Sequence, residues 1–424
     1  MLSQQRKMRK SFTIYIVIAA FLQSILLAGC GSQEPPKTAA VPQGTSLPID
    51  TALVARLKAF ANAPRVKGKF GFYVYDLDAR KPVYGVQEHL SQPSASCMKL
   101  LTGIAGLHLL GTDYYFKTSL FTRGATTGGT LDGDVALKAG LDPQIRETDL
   151  RSFAAILAGR GIRRITGKVY LDLLLTQPVK SEIHWYPWDL TFSQYGIFYK
   201  GARPVAQAFR SALRQQGIVV ADSQMVMGRV PRGSRCIYLF RRRIDTVLKR
   251  MWKNSSNTQA TSLLYAMGHH VNPQADPVET GVAYLRTFLS KDLNQTDTTL
   301  VVHDGCGLCP HNRLSPAALV SILEYGYDHP PIRRELLRLL AISGTDGTLR
   351  RAIYDPKLRG RILGKTGTLS HPFGISSLAG FCRGGNGHML AFAIMDSEMS
   401  VLDAHVLQRR FCAIIARSDD APAR

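Results

Sequence analysis

Acidic residues are scarce in this sequence. Its 424 residues hold 31 Asp and Glu against 53 Lys and Arg, a formal net charge of +22. That balance excludes an acidic surface and favours anionic partners: nucleic acid, anionic lipid or an anionic polymer. Cysteine is also sparse, at seven residues. So few over this length exclude a scaffold built on disulfides, although an oxidising compartment would permit bridges. Internal repeats and low-complexity tracts are not evident. Two catalytic signatures are missing as well: no G-x-S-x-G nucleophile elbow and no H-E-x-x-H zinc helix occurs. What is present is ordinary globular composition, 45% hydrophobic and 20% charged, enough for a large core or two domains.

The N-terminus narrows the partners. Arg6, Lys7, Arg9 and Lys10 form a positive n-region, and residues 12–27 are an almost unbroken apolar run. Leu27-Ala28-Gly29-Cys30 follows, with small residues ahead of the cysteine. The run is short and ends at a cleavage-type site, so residues 1–29 read as an export signal. An uncleaved membrane anchor is the other reading. The L-A-G-C string resembles a bacterial lipobox, which implies cleavage before Cys30 and lipidation of its thiol. Gly31 follows in place of an aspartate, which points to outer-membrane sorting. Either way the body of the protein is exported to the periplasmic side of a bacterial membrane. Nucleic acid then drops out as a partner, and peptidoglycan, teichoic polymers and lipopolysaccharide remain.

Residues 30–48 are rich in Pro, Ala, Thr and Gln and read as a flexible tether. A helix is expected from near Ile49, with Leu53, Leu57 and Phe60 at helical spacing. Residues 70–75 alternate as a strand, with 81–84 as its partner. Residues 96–110 carry a stripe of Leu100, Leu101, Ile104, Leu107 and Leu110 and predict a buried helix. From 118 to 243 the texture changes to short strand-like runs (122–129, 131–137, 167–173) with helices over 149–159 and 204–215. This stretch reads as an insert between two parts of one domain, 49–117 and 244–424. In the second part, helices are expected over 244–252, from Ser315-Pro316 and over 404–416, and strands over 361–369, 375–382 and 389–395. The predicted fold is α+β: one antiparallel sheet assembled from both chain ends, flanked by helices, with an inserted β-rich domain.

Three strings carry the chemistry: Ser96-Cys97-Met98-Lys99, Ser255-Ser256-Asn257 and Lys365-Thr366-Gly367. They read S-x-x-K, S-x-N and K-T-G, in that order. Each alone is weak; together they form the constellation of active-site-serine acyl transferases that bind penicillin. A serine hydroxyl is a poor nucleophile until a base takes its proton. Lys99, one helical turn after Ser96, is that base if burial and a second ammonium from Lys365 depress its pKa. The helix start at Ser96 offers a backbone N–H, and Thr368, just past K-T-G, offers a second for an oxyanion hole. Ser255 can relay a proton to the leaving amine, and Asn257 can orient the substrate amide and hydrogen-bond Lys99. Lys365 and Thr366 suit a substrate carboxylate, so cleavage next to a C-terminal residue is expected.

Other clusters have blander readings. His303, Cys306, Cys309 and His311 crowd into one short string that could bind zinc. The alternative, adopted here, is a tight Gly-containing loop with buried or bridged thiols and no metal or other cofactor. His269-His270 and Arg241-Arg242-Arg243 read as solvated surface, and Trp185 and Trp188 as packing.

On these motifs the chain resembles the class C low-molecular-mass penicillin-binding proteins, the D-alanyl-D-alanine carboxypeptidase/endopeptidase family. The likeness runs from about Phe70 to the end. It includes Val74-Tyr75-Asp76-Leu77-Asp78, the K-x-G-x-D-P string over 138–143, Asp304-Gly305-Cys306-Gly307-Leu308, the G-x-D-G-T-L string over 344–349 and the stretch 365–380. The resemblance implies a fold related to serine β-lactamases with extra domains after the nucleophile helix. It implies a periplasmic enzyme acting on peptidoglycan stem peptides and covalently bound by β-lactam antibiotics. By that likeness Ser96 is the nucleophile and Lys99 the base, Ser255 and Asn257 form the second motif, and Lys365, Thr366 and Gly367 the third. Departures from the family pattern are Pro93 three residues before the serine, Cys306 for the loop serine and Thr261 for an acidic residue. Two other readings stay open: a β-lactamase on the same fold, which would need a deacylation device such as the absent E-x-x-L-N string, and an inactive peptidoglycan-binding lipoprotein.

Overall fold

In a computed structural model, which describes residues 47–191, 193–371 and 374–416, both ends of the described chain join one sheet. The strands in chain order are β1 (Lys69–Asp76), β2 (Lys81–Val86), β3 (Gln92–Pro93), β4 (Tyr115–Thr127), β5 (Thr130–Ala139), β6 (Arg164–Ile165), β7 (Val169–Leu173), β8 (Met225–Met227), β9 (Arg235–Arg243), β10 (Arg313–Leu314), β11 (Ala341–Ile342), β12 (Ile362–Leu369), β13 (Ile375–Arg383) and β14 (Met389–Ser397). The main sheet has the order β11-β12-β13-β14-β1-β2 and is antiparallel throughout. β13 lies mid-sheet with eight of its nine residues buried, because helices cover both faces. Hence its sequence is a continuous apolar and small-residue run rather than an alternating one.

One face packs on the helix Pro316–Asp328, and Met98–Leu110 and then Asn257–Val271 stack beyond it in one core that includes Trp252, Leu263 and Leu319. The other packs on Thr51–Asn62 and Val401–Ile415, where Phe72 and Phe411 meet at 5.2 Å between ring centroids. The helix starts follow their capping residues. Asp50 Oδ1 accepts from the Leu53 N–H at 2.8 Å, and Ser315 Oγ from the Ala318 N–H at 3.1 Å, with Pro316 at the first position. The expected α+β class and the antiparallel sheet drawn from distant parts of the chain are what the structure has.

The stretch from Tyr115 to Arg243 builds a second sheet, β8-β7-β5-β4-β9, with β6 beside β5. β4 runs antiparallel to β5 and β9, whereas β7 lies parallel to β5 and β8. It has its own core, including Leu137, Phe153 and Phe209. β4 starts at Tyr115, well before the expected strand, and turns at Gly128-Gly129, where both residues have positive φ. The arginine run, expected as solvated surface, is the end of β9, paired with residues 115–117; Arg241 is exposed and Arg242 and Arg243 are half-buried. Arg242 there meets the fully buried Asp142 at 2.8 Å within the insert, and Arg243 Nε donates to the Thr112 carbonyl at 3.3 Å in the main body. Gln144 Nε2 adds a bond to Gln259 Oε1 at 2.9 Å, tying the insert to the helix that follows S-x-N.

Candidate active site

The site grows from a gap in the main sheet. β11 is two residues long and covers β12 only at Leu363 and Gly364. From Lys365 onward that edge has no strand partner among the described residues. The turn carrying Ser96, Ala95–Cys97, sits against it just ahead of the helix Met98–Leu110. Gly367 makes the approach possible: a Cβ there would lie 2.2 Å from Ser377 Oγ, 2.8 Å from the Ser94 carbonyl and 3.0 Å from the Ser96 nitrogen. Two bonds hold the turn down. Ser377 Oγ donates to the Ser94 carbonyl at 2.7 Å, and Cys97 Sγ to the Lys365 carbonyl at 3.1 Å. Ile362 points its N–H and C=O toward Ser343, away from β13. Residues of the same parity on a strand point the same way. The N–H of Thr368 therefore faces the open edge, as does that of Thr366.

Lys99 is fully buried. Its ammonium donates to Ser96 Oγ at 2.8 Å, to Asn257 Oδ1 at 2.8 Å and to the Cys306 carbonyl, so all three of its protons are used. Burial lowers its pKa, and the nearby Cys306, Asp304 and Cys97 oppose that shift. Lys365, also fully buried, donates to Ser255 Oγ at 2.8 Å and to the Thr366 carbonyl at 2.5 Å. Its pKa is pushed down to about 7, first by burial and then by the Lys99 charge. The mutual depression expected from two ammoniums thus acts on Lys365, while Lys99 is governed by its own burial.

Ser255 lies just ahead of the helix Asn257–Val271 with φ of 57°, a conformation uncommon for a residue with a side chain. Such a backbone, fixed by the Ser256 N–H bonding back to the Arg250 carbonyl at 3.2 Å, aims the hydroxyl at Lys365. Thr366 Oγ1 bonds Thr348 Oγ1 at 2.8 Å, and the Thr348 N–H bonds the Lys253 carbonyl at 2.9 Å. The 344–349 string is therefore the bridge between the second and third motifs. All eight residues expected in the site, Ser96, Lys99, Ser255, Asn257, Lys365, Thr366, Gly367 and Thr368, lie on these three converging segments; Cys30 lies outside the described residues.

Sequence reasoning gave no role to Asp304. Its carboxylate, 4% exposed, accepts from the backbone N–H groups of Cys306 (2.9 Å), Gly307 (2.5 Å) and Cys309 (2.8 Å), the Trp185 indole (2.7 Å) and the Asn312 amide (3.0 Å). That knot fixes the loop whose Cys306 carbonyl receives Lys99. Gly307, with φ of 79°, lies so close to the nucleophile turn that a Cβ would sit 1.9 Å from the Ala95 carbonyl. The Asp-Gly-Cys-Gly-Leu string was the signal available. Cys306 is buried with its thiol beside Thr261, so two departures from the family pattern touch each other. The six cysteines among the described residues are unbridged. Of the string His303 to His311, His303 and Cys309 gather with Glu182 and His184 of the insert, the His311 ring lies 4.5 Å from that of His184, and Cys306 turns to Thr261 instead. Trp185 is buried on Asp304, whereas Trp188 is exposed and stacks on Tyr186 at 4.9 Å.

Beside Asn257 a cleft of about 700 Å³ opens toward the insert. Ser256 and Arg250 line it on one side, and Gln144, Arg146 and Lys200 on the other.

A serine bonded to a buried lysine, with a second serine–lysine pair on a sheet edge, defines a penicillin-recognising serine hydrolase. Residues 53–196 and 198–417 match the D-Ala-D-Ala carboxypeptidase 3 (S13) family, and the chain belongs to it. It is a class C penicillin-binding protein, a serine-type D-alanyl-D-alanine carboxypeptidase. It is 22% identical over 383 residues to D-alanyl-D-alanine carboxypeptidase DacB of Haemophilus influenzae, covering 70% of this chain and 79% of that one. The fold is similar to that of penicillin binding protein 4 from the same organism, with a TM-score of 0.70 and 20% identity over 84% of this chain and 98% of that chain. That protein is also known in complex with a β-lactam. The fold of Bd3459, a predatory peptidoglycan endopeptidase from Bdellovibrio bacteriovorus, is similar too, with a TM-score of 0.58 and 17% identity over 84% and 97% of the two chains.

Proposed function

We propose that Ser96 cleaves the terminal D-alanine from peptidoglycan stem peptides, and D-alanyl cross-links in addition, through an acyl-enzyme formed with Lys99 as base. The observation that carries this is the pair of bonds from Lys99 Nζ to Ser96 Oγ and to Asn257 Oδ1, both at 2.8 Å. A neutral Lys99 takes the hydroxyl proton as Oγ attacks the carbonyl carbon of the penultimate residue. The N–H groups of Ser96 and Thr368 hold the oxyanion. Ser255, bonded to Lys365, passes a proton to the leaving nitrogen as the C–N bond breaks. Water then attacks the ester and frees Ser96. Lys365 and Thr366 hold the substrate's terminal carboxylate, whose charge favours the protonated amine of Lys365. The cleft lined by Arg146, Lys200 and Arg250 supports binding of the acyl-side peptide. A β-lactam meets the same groups and acylates Ser96.

The test is labelling with a fluorescent penicillin, followed by incubation with a stem pentapeptide and a cross-linked dimer. Persistent labelling is expected in the wild type and none in Ser96→Ala, together with release of D-alanine. Rapid loss of label would favour a β-lactamase, and absence of labelling an inactive binder.

We further propose that the enzyme works on the periplasmic side of the outer membrane, tethered by a lipid on Cys30. This reading is supported by the n-region cations, the apolar run and the L-A-G-C string, and by a basic composition suited to an anionic wall. Cys30→Ser is expected to move the protein from the detergent-soluble membrane fraction to the soluble periplasmic fraction. Unchanged membrane retention would count against lipidation.

A further inference from the structure

We propose that Glu182, His184, His303 and Cys309 bind one zinc ion. The ion would be a structural clamp between the insert and the loop that receives Lys99. The four ligand atoms all lie within 4.8 Å of one another. Glu182 Oε1 is 2.7 Å from His184 Nδ1 and 3.8 Å from His303 Nδ1. Tetrahedral zinc with bonds of roughly 2.0–2.3 Å sets its ligands about 3.5 Å apart. The separations bracket that spacing.

The donor types suit this ion. Two imidazoles, one thiolate and one carboxylate are the ligands of zinc rather than of magnesium or calcium. Two neutral imidazoles with two anions leave the site electrically neutral once the dication is bound. The Cys309 thiol gives up its proton to solvent on binding, and nothing is oxidised or reduced. His184 and His303 are partly exposed, which leaves a path in, while Cys309 is buried.

Outer contacts hold the ligands in place. The Cys309 N–H bonds Asp304 Oδ2 at 2.8 Å, and the His303 N–H bonds Asn312 Oδ1 at 2.7 Å. The His184 N–H bonds Glu182 Oε2 at 2.8 Å, and the neighbouring Trp185 indole reaches Asp304. The stretch over 174–186 contains no helix or strand element. A metal would anchor it to the loop whose Cys306 carbonyl receives Lys99.

The experiment measures metal in the full chain purified in detergent, loaded with zinc and dialysed against metal-free buffer. About one zinc per chain is expected, falling below about a tenth in His184→Ala and Cys309→Ser. Cobalt loading is expected to give a near-ultraviolet sulfur-to-metal band that disappears in Cys309→Ser and persists in Cys306→Ser. Circular dichroism and fluorescent-penicillin labelling report whether each variant is folded. Chelation is expected to lower Tm in the wild type and not in Cys309→Ser. The proposal is overturned if the wild type holds no zinc above background. It is equally overturned if folded His184→Ala keeps its zinc, or if the cobalt band follows Cys306 instead.

Discussion

Lys99→Met is expected to slow acylation by a β-lactam about 10³–10⁴-fold while the chain stays folded. Methionine fills nearly the same volume, so the fully buried position keeps its packing. It also relieves the cost of holding an amine away from water. What it removes is the only basic atom bonded to Ser96 Oγ among the described residues. The pH dependence separates loss of a base from loss of shape. In the wild type the acylation rate constant rises as Lys99 loses its proton, with a midpoint below the ordinary lysine value of 10.5. It falls again as Lys365, pushed down to about 7, discharges and releases the antibiotic's carboxylate. The two amines interact, so the limbs of the bell belong to the pair. Lys99→Met is expected to lose the acid-side rise. A penicillin ester, lacking the carboxylate, is expected to lose the alkaline fall and keep the rise. Near-wild-type labelling of Lys99→Met, or an unchanged profile, would remove Lys99 from the role of base.

The three motifs were legible because each is a local grammar. Ser96 and Lys99 share one turn, and K-T-G needs a strand whose third residue is small enough for Ser94–Ser96 to lie against it. The alternation over residues 70–75 and the three late apolar runs likewise announce strands of one half-buried sheet. What escaped was set by tertiary pairing. Arg241-Arg242-Arg243 has the composition of surface, yet Asp142 and the register with residues 115–117 draw it into β9. The helix Pro277–Thr287 did carry a signal, Asp276 ahead of a proline, and the cap is made: Asp276 Oδ1 accepts from Val278 and Glu279. The gathering of Glu182 and His184 with His303 and Cys309 has no such local mark, because the halves lie on opposite sides of S-x-N and meet only when the insert folds back. Asp304 was visible as a string, but its role came only from counting the donors that surround it.

That count makes Asp304→Ala the substitution with the largest expected cost to stability. It would strand the N–H groups of Cys306, Gly307 and Cys309, the Trp185 indole and the Asn312 amide in a region closed to water. A buried donor left without an acceptor costs about 1–3 kcal/mol, and partial relaxation of the loop keeps the sum near 3–5 kcal/mol. At about 2–4 °C per kcal/mol for a domain somewhat smaller than this one, the expected fall in Tm is roughly 10 °C. Asp304→Asn, which keeps one oxygen acceptor in place, is expected to lose less. Activity should suffer separately from stability. The Cys306 carbonyl would no longer be fixed beneath Lys99 Nζ, so the amine would be free to turn from Ser96 Oγ. Labelling at a temperature well below both melting points is therefore expected to be slower in Asp304→Ala, with a pH midpoint shifted from that of the wild type. A variant that melts within about 2 °C of the wild type and acylates at its rate would show that the loop holds its shape without this carboxylate. The geometry argues the opposite: its donors come from the Trp185 segment and from the loop carrying Cys306, and this one carboxylate joins them.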